Sequence, residues 1–423
     1  MTVNQKPPIH WYSIWQFVLT SLAVLILWGF ALFLVFITLA QTVSGAGSSD
    51  GNLSFWLMAW AMAFSGVLLL PSATYALLRL SGRPVKQSPQ LPGILKSSIF
   101  VIILLVILYL GVVLLGNWVS QVASLAWWLL PPLHILAIGL PVLGVAYLGT
   151  HRLPPGRPQR MWGVFGSGLV LGPALILVAE TVALVVAVVV AIVWAASQPD
   201  LMKAILAFSQ EMQSGRPTSD ELMRSLGPYL LRPTLLFGVL IFGALIVPLI
   251  EELIKPIGVW LLFGRPMTPA AGLAAGAISG AGYALFESLA LTSNGQDWAL
   301  SVVARSGTAV IHIFTASLMG WALVLTWRER RYLRLAGTYL LAVLIHGSWN
   351  ALALLNAAAS LADAQAGPQK YPLLSQAGAV APFGLIIMTI AAFIALVWVN
   401  RHLRPAPGGL SIPEQPANSN LLE

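Results

Sequence analysis

Ten stretches of this chain, at about 14–40, 53–78, 98–120, 124–149, 166–196, 234–263, 268–292, 299–327, 334–357 and 376–400, are each apolar over a length that can cross a bilayer. A crossing takes about 20 residues of helix. Hydrocarbon offers no water to the backbone, so a continuous apolar run must satisfy its own N–H and C=O groups as a helix. The expected fold class is therefore all-α, a polytopic membrane helical bundle of about ten transmembrane helices. Charged residues make up 9% of the chain and the mean hydropathy is +0.85, against roughly 25% charged in soluble domains. The net charge of +8 would suggest nucleic acid in a soluble protein. Here its position matters more than its size, and no nucleic-acid partner is expected. The chain has no cysteine, which excludes disulfides, thiolate nucleophiles and Cys-ligated metals. The first run is longer than a signal-peptide core and lacks a small-x-small cleavage site, so it reads as an uncleaved anchor.

The connections set the orientation. Alternate ones carry Arg79, Arg83, Lys86 and Lys96, then Arg152, Arg157 and Arg160, then Arg265, then Arg328, Arg330, Arg331 and Arg334, and finally Arg401 and Arg404. The short connections on the other side, about 41–52, 121–123, 293–298 and 358–375, hold only Lys370. The bias of basic residues towards the cytoplasm places both termini there. The long outer connection, 198–232, reads as two amphipathic helices, from Leu201 and from Ser219, lying at the interface as a surface linker or a cap over the spans that follow. The resulting organisation is a five-span scaffold over 1–197, the outer connection over 198–232, a five-span catalytic region over 233–404 and a disordered tail over 405–423. The tail is rich in Pro, Gly, Ser and Asn.

The two halves differ in chemistry. Spans one to five hold Glu180 and His134 as buried ionisable candidates, whereas spans six to nine hold Glu251, Glu252, Lys255, Glu287, Arg305, His312 and His346. Each charge at mid-bilayer costs about 2.5–3.5 kcal/mol on insertion scales, so such residues face partners, water or a metal. On a helix Lys255 lies four residues from Glu251 and three from Glu252, and either carboxylate can pair with it. Gly272, Gly276 and Gly280 give the seventh span a smooth face for close packing, with Tyr283 and Glu287 sharing a face beyond it. Arg305, His312 and Thr315 lie on nearly one side of the eighth span, and His346 and Asn350 share a face of the ninth. At 1.5 Å of rise per residue, Glu251, His312 and His346 lie at about 26, 20 and 17 Å from the outer ends of their spans, and Glu287 at about 8–10 Å. Glu251, Glu287, His312, His346 and Asn350 are expected to surround one polar cavity, with Glu287 as the first expected outlier on grounds of depth.

These residues resemble the PrsW-type intramembrane proteases, relatives of the CAAX-processing and bacteriocin-processing membrane proteases. The resemblance is carried by Glu251-Glu252-Leu253-Ile254-Lys255, Gly282-Tyr283-Ala284-Leu285-Phe286-Glu287, Arg305 with His312 and Thr315, and His346-Gly347-Ser348-Trp349-Asn350. All four occur in family order, one per successive span, over about 235–357. Ser288 stands where an Asn is expected and Tyr283 where a Phe is. The resemblance implies peptide hydrolysis in the bacterial cytoplasmic membrane, with a membrane-protein substrate such as an anti-sigma factor or a bacteriocin-like peptide. By resemblance to the wider superfamily, Glu251 is the base and Glu252 fixes Lys255, with His346 and Asn350 facing the oxyanion. A metal, zinc or another divalent ion, would be held by Glu287, His312 and His346, leaving Glu251 as base. Metal-dependent and metal-free versions both stay open. The alternatives from other classes are a proton-coupled transporter, against which the lack of an internal repeat counts, and a non-catalytic, immunity-type partner protein. The orientation is directly testable: a reporter fused after Arg404 should be active only on the cytoplasmic side, and activity on the outer side would refute it.

Overall fold

In the computed structural model the described residues are 11–45, 49–83, 98–154, 156–214, 227–367 and 369–404. Among them ten helices are long and apolar enough to cross a membrane, and there is no strand. In chain order the helices are α1 (Trp11–Ser44), α2 (Ser49–Leu80), α3 (Ser98–Ser120), α4 (Ala123–Thr150) and α5 (Pro158–Ala196). Then follow the amphipathic α6 (Pro199–Ser214), α7 (Pro233–Trp260), α8 (Pro269–Ala290), α9 (Asp297–Glu329), α10 (Tyr332–Ala366) and α11 (Pro372–His402). The ten expected spans are all present. The fifth starts earlier than expected, at Pro158, because the polar turn carrying Gln159 and Arg160 continues the helix. In the outer connection the first expected amphipathic helix is α6, and Arg232 closes back on Asp200 at 2.6 Å. That guanidinium holds the Asp200 carboxyl below the usual carboxylate range. The second expected helix, from Ser219, begins outside the described residues, and the tail from Pro405 lies wholly outside them.

The bundle is built on α8 and α9. The most apolar stretch of α9 is 94% buried, so this helix stands at the centre, with α4, α8, α10 and α11 packed around it. A methyl group at Gly276 would run into the Ala316 carbonyl, and one at Gly320 into the Gly272 carbonyl. The four-residue glycine spacing thus brings two helix backbones together, which is the small-residue mode of association in membranes. The rim is lipid-facing: on α5, Val182, Val185, Val186, Val189 and Val190 are exposed, as side chains solvated by acyl chains can be.

Two spans are interrupted by a π-helical turn, Ser167–Leu171 in α5 and Phe242–Ile246 in α7. Each lies just ahead of a proline, Pro173 and Pro248, which lacks an N–H and crowds the carbonyl four residues back. The freed backbone finds neighbours. Asn350 Nδ2 donates to the Gly243 carbonyl at 2.9 Å, and Gly347 lies so close to the Ala244 carbonyl that a side chain there would collide with it. Replacing Gly276 or Gly320 by leucine should force α8 and α9 apart. We expect a loss of thermal stability in detergent by more than 5 °C for either variant, a shift corresponding to at least about 1 kcal/mol, whereas leucine at Gly111, which faces open space, should leave it unchanged.

Candidate active site

Lys255 is the second-last turn of α7 before the chain breaks. Its own N–H closes on the Glu251 carbonyl at 2.7 Å, and Pro256 follows, so the helix cannot continue its ladder. Ser279 of α8 covers the break: its hydroxyl donates to the Lys255 carbonyl at 2.7 Å and accepts from the Gly258 N–H at 3.3 Å. Held at both ends, the Lys255 side chain runs into the bundle, fully buried. Its ammonium lies 2.8 Å from Glu251 Oε2 and 2.8 Å from Glu252 Oε1. It also lies 2.7 Å from His312 Nδ1 on α9 and 3.2 Å from His346 Nδ1 on α10. The Tyr283 ring of α8 packs against the same group, its centroid 4.9 Å from Nζ, within cation–π range.

Further out, His312 Nε2 is 2.6 Å from Glu287 Oε2, and Glu287 Oε1 accepts from Arg305 at 2.9 Å. Glu287 is thus joined to the cluster despite its shallower depth. It stands between His312 and the more outward Arg305, and the histidine spans the difference. His346 Nδ1 lies 3.0 Å from Glu252 Oε1, and its Nε2 is 3.9 Å from Glu251 Oε2. The structure therefore brings Glu251, Glu252, Lys255, Glu287, His312 and His346 into one contiguous network, buried throughout except at the half-buried Glu287. Asn350 is placed differently, with its amide nitrogen on the α7 π turn. Thr315 turns its hydroxyl back to its own helix at Ile311.

Proton accounting assigns the tautomers. A neutral imidazole has one donor and one acceptor. An ammonium can only donate, so His312 Nδ1 accepts from Lys255 and Nε2–H donates to Glu287. His346 Nδ1–H donates to Glu252, its shorter contact, and leaves the Nε2 lone pair turned towards Glu251. The Glu180 carboxyl from α5 hydrogen-bonds Glu251, which requires a proton between the two and leaves Glu180 neutral. Glu251, Glu252 and Glu287 then face two fixed cations, Lys255 and Arg305, and one negative charge is left over. Glu252 has both Lys255 and His346, and Glu287 has both Arg305 and His312. Glu251 has only its share of Lys255, with the Tyr283 hydroxyl and the carboxyl of Glu180 from α5 as further neighbours. The surplus charge belongs to Glu251.

The same geometry bears on a metal. Donor atoms of Glu251, His312 and His346 lie within 4.8 Å of one another, and one carboxylate with two imidazoles suits zinc or a similar divalent ion. Each imidazole is backed by a carboxylate, His312 by Glu287 and His346 by Glu252, the arrangement that orients histidine ligands. The donor set thus fits a metal in type and spacing. Within it Glu251 occupies the place that the sequence pattern suggested for Glu287, whose two oxygens are taken by Arg305 and His312. Lys255 stands on the face of His312 that an ion would use.

A family model described as PrsW family intramembrane metalloprotease matches residues 157–374. The chain belongs to this family. No match is found among curated proteins or among solved structures. The PrsW match begins with α5, well ahead of the four motifs, so the family region includes the fifth span and α6 as well as the helices that carry the cluster. The protein is an integral membrane protease with a buried Glu/His site, acting on membrane-protein substrates. The carrier and partner-protein alternatives lose their ground. Glu180 was legible only as a lone carboxylate in the otherwise apolar helix Gly172–Ala196, and its place beside Glu251 becomes visible only in three dimensions.

Removing the ammonium should be costly. Lys255→Met leaves two adjacent carboxylates without their shared cation, and loss of one partner of a buried pair destabilises by about 3–5 kcal/mol. The double variant Lys255→Met with Glu252→Gln should recover part of that loss in a thermal unfolding assay. If the double variant is no more stable than the single one, the pairing is not what holds this region.

Proposed function

We propose that this PrsW-family protein hydrolyses peptide bonds within or beside the membrane with Glu251 as general base. The observation that carries the reading is the uneven partnering of the three carboxylates, which leaves Glu251 as the one with capacity to take a proton. Glu251 Oε2 and His346 Nε2 are 3.9 Å apart. One water donating to both, with bonds of about 2.8 Å, spans about 4.4 Å, so a small opening of this gap holds the attacking water by both of its protons. Glu251 takes one proton as the oxygen attacks the scissile carbonyl, and later delivers it to the leaving amine. Lys255 and the Tyr283 hydroxyl are the groups beside Glu251 able to stabilise the oxyanion. Glu252 fixes Lys255 and His346, while Glu287 and Arg305 fix His312. Asn350, with its Nδ2 committed to Gly243, acts as a positioning residue for α7 rather than as an oxyanion donor.

A second reading has its own support in the family description and the donor set. In it Glu251, His312 and His346 hold a divalent ion, zinc being the best match to these donors, with Lys255 turned aside. When bound, such an ion supplies Lewis acidity and an acidified water. Glu252 and Glu287 then orient the two imidazoles through their far nitrogens. The substrate class we propose is a single-span membrane protein, of which an anti-sigma factor or a bacteriocin-like peptide is an instance, in a bacterial cytoplasmic membrane with both termini of the protease inside.

Comparative mass spectrometry of membrane peptides, with wild-type and Glu251→Gln chains, tests the assignment. Peptides that depend on the protease should fall by the 10²–10⁴-fold typical of general-base loss while the variant still inserts and folds. Undiminished cleavage by a folded Glu251→Gln protein would refute it. Metal analysis of the purified chain separates the two readings. A stoichiometric ion lost in His346→Ala and restored activity on its return favour the ligand role of Glu251, and activity indifferent to a strong chelator, in a chain free of metal, favours the base.

A further inference from the structure

Between α1 and α5 a groove of about 990 Å³ runs inward to the cluster. Its α1 side extends from Tyr12 to Leu27, about 22 Å along the helix at 1.5 Å per residue. The walls are apolar, as with Leu22 and Leu177, and both of these are open to lipid. Its inner wall is different in kind, because Tyr283, Glu287 and Glu180 stand there, two of them already members of the active-site network. Glu180 Oε1 is buried and has no hydrogen-bond partner, a costly state for a carboxyl oxygen in a membrane. Near the Tyr12 end a polar knot ties α1 to α2 and α5. Gln16 Nε2 donates to Ser72 Oγ at 3.0 Å and to the Gln159 carbonyl at 3.1 Å, and Gln159 Nε2 donates to Ser13 Oγ at 2.9 Å. Beyond that knot α1 packs on α2, and the side of α1 that faces α5 is left to the groove.

We propose that this groove receives the transmembrane helix of the substrate from the lipid, and that Glu180 accepts the first peptide N–H to leave that helix on its way to Glu251. The inference rests on the protease reading above. A complete helix 10–12 Å across and 22 Å long fills about 1,700–2,500 Å³, more than the groove contains, so the guest lies half in the groove and half in lipid. The exposure of Leu22 and Leu177 on the bundle's rim makes the entry lateral. The groove is continuous with Tyr283 and Glu287, which gives an arriving segment a route to the reacting carboxylate. Unwinding is required there, because a helical peptide group has its N–H already engaged, and the unpartnered Oε1 of Glu180 on the groove's wall is an acceptor that such a freed N–H can take. α1 lies outside the family-matched residues 157–374. It therefore supplies a substrate-selecting wall that the family core does not contain.

The test uses the full-length Glu251→Gln chain in proteoliposomes, so that docking is read without cleavage. The probe is a synthetic single-span peptide of Leu and Ala, about 20 residues long, with lysine flanks, a central Gly-Pro pair and a photoreactive diazirine beside it. Its adducts should map to α1 and α5 residues of the groove. Tryptophan at both Leu22 and Leu177 should lower the yield by about tenfold or more, whereas tryptophan at Leu25 and Leu184, exposed but outside the groove, should leave it unchanged. Glu180→Leu should lower the yield with the Gly-Pro probe and not with an all-helical probe lacking that pair. Adducts spread over the lipid-facing rim, adducts of lipid alone, or a yield indifferent to the Leu22 and Leu177 changes would overturn the proposal. A failure of the catalytic reading shows separately, as cleavage that survives Glu251→Gln.

Discussion

The fully buried Lys255 ammonium is the interaction on which the site depends. It gathers two carboxylates from its own helix and faces histidines from two others, so α7, α9 and α10 meet at one nitrogen. An isolated charge at that depth carries a large desolvation penalty, and only short, well-aimed contacts offset it. An ion pair with Glu251 and hydrogen bonds to Glu252 and His312, all 2.7–2.8 Å, do so here. The consequence is rigidity at the centre of a bundle whose outer helices are held mainly by apolar packing. Each imidazole is fixed by a carboxylate on its second nitrogen, so the protein's own contacts set the geometry of the cluster.

That meeting point requires helix backbones to approach closely and at the right height. The glycine face of α8 achieves the first against α9, and Gly280 packs directly on the His312 carbonyl at a distance that leaves no room for a methyl group. The two proline-led π turns achieve the second. A π turn shifts the register of everything that follows it, so the turn at Phe242–Ile246 rotates Glu251 and Glu252 relative to the first part of α7. Asn350 then fastens the shifted helix through Gly243. The turn at Ser167–Leu171 sits against α8, where Gly168 meets the Ser279 carbonyl and Ser279 in turn caps the break after Lys255. The positions of Lys255 and of α5 are therefore linked through one serine.

Much of this was legible in the sequence, for definite reasons. Apolar runs of bilayer length can only be helices, so the ten spans could be read directly. Buried charges in lipid need partners, so Glu251, Glu287, His312, His346 and Asn350 were expected to surround one cavity, and the first four share one network in space. What sequence could not supply was height and direction. Glu287 looked too shallow because the rise per residue says nothing about a histidine reaching outward to meet it. Asn350 shares a face with His346, yet a π turn one helix away offers it a carbonyl, and no local pattern marks that turn as the partner. Glu180 lies far from the motifs in the chain and is brought in by the packing of α5 on α8.

The charge count explains why one carboxylate of an adjacent pair differs from the other. Glu251 and Glu252 are neighbours in sequence and share a lysine, but a helix turns about 100° between them. That rotation sends Glu252 into the packed seam with α10, where it is fully buried and its Oε1 has two partners. It leaves Glu251 facing the space shared by Tyr283, Glu180 and the free lone pair of His346. An inverted order, with the second glutamate towards the groove, would place the doubly partnered carboxylate beside Tyr283 and Glu180 and the other one in the α10 seam. The asymmetry that the proposed proton transfer by Glu251 would use thus comes from helix geometry acting on two identical side chains, with Lys255 as the common reference.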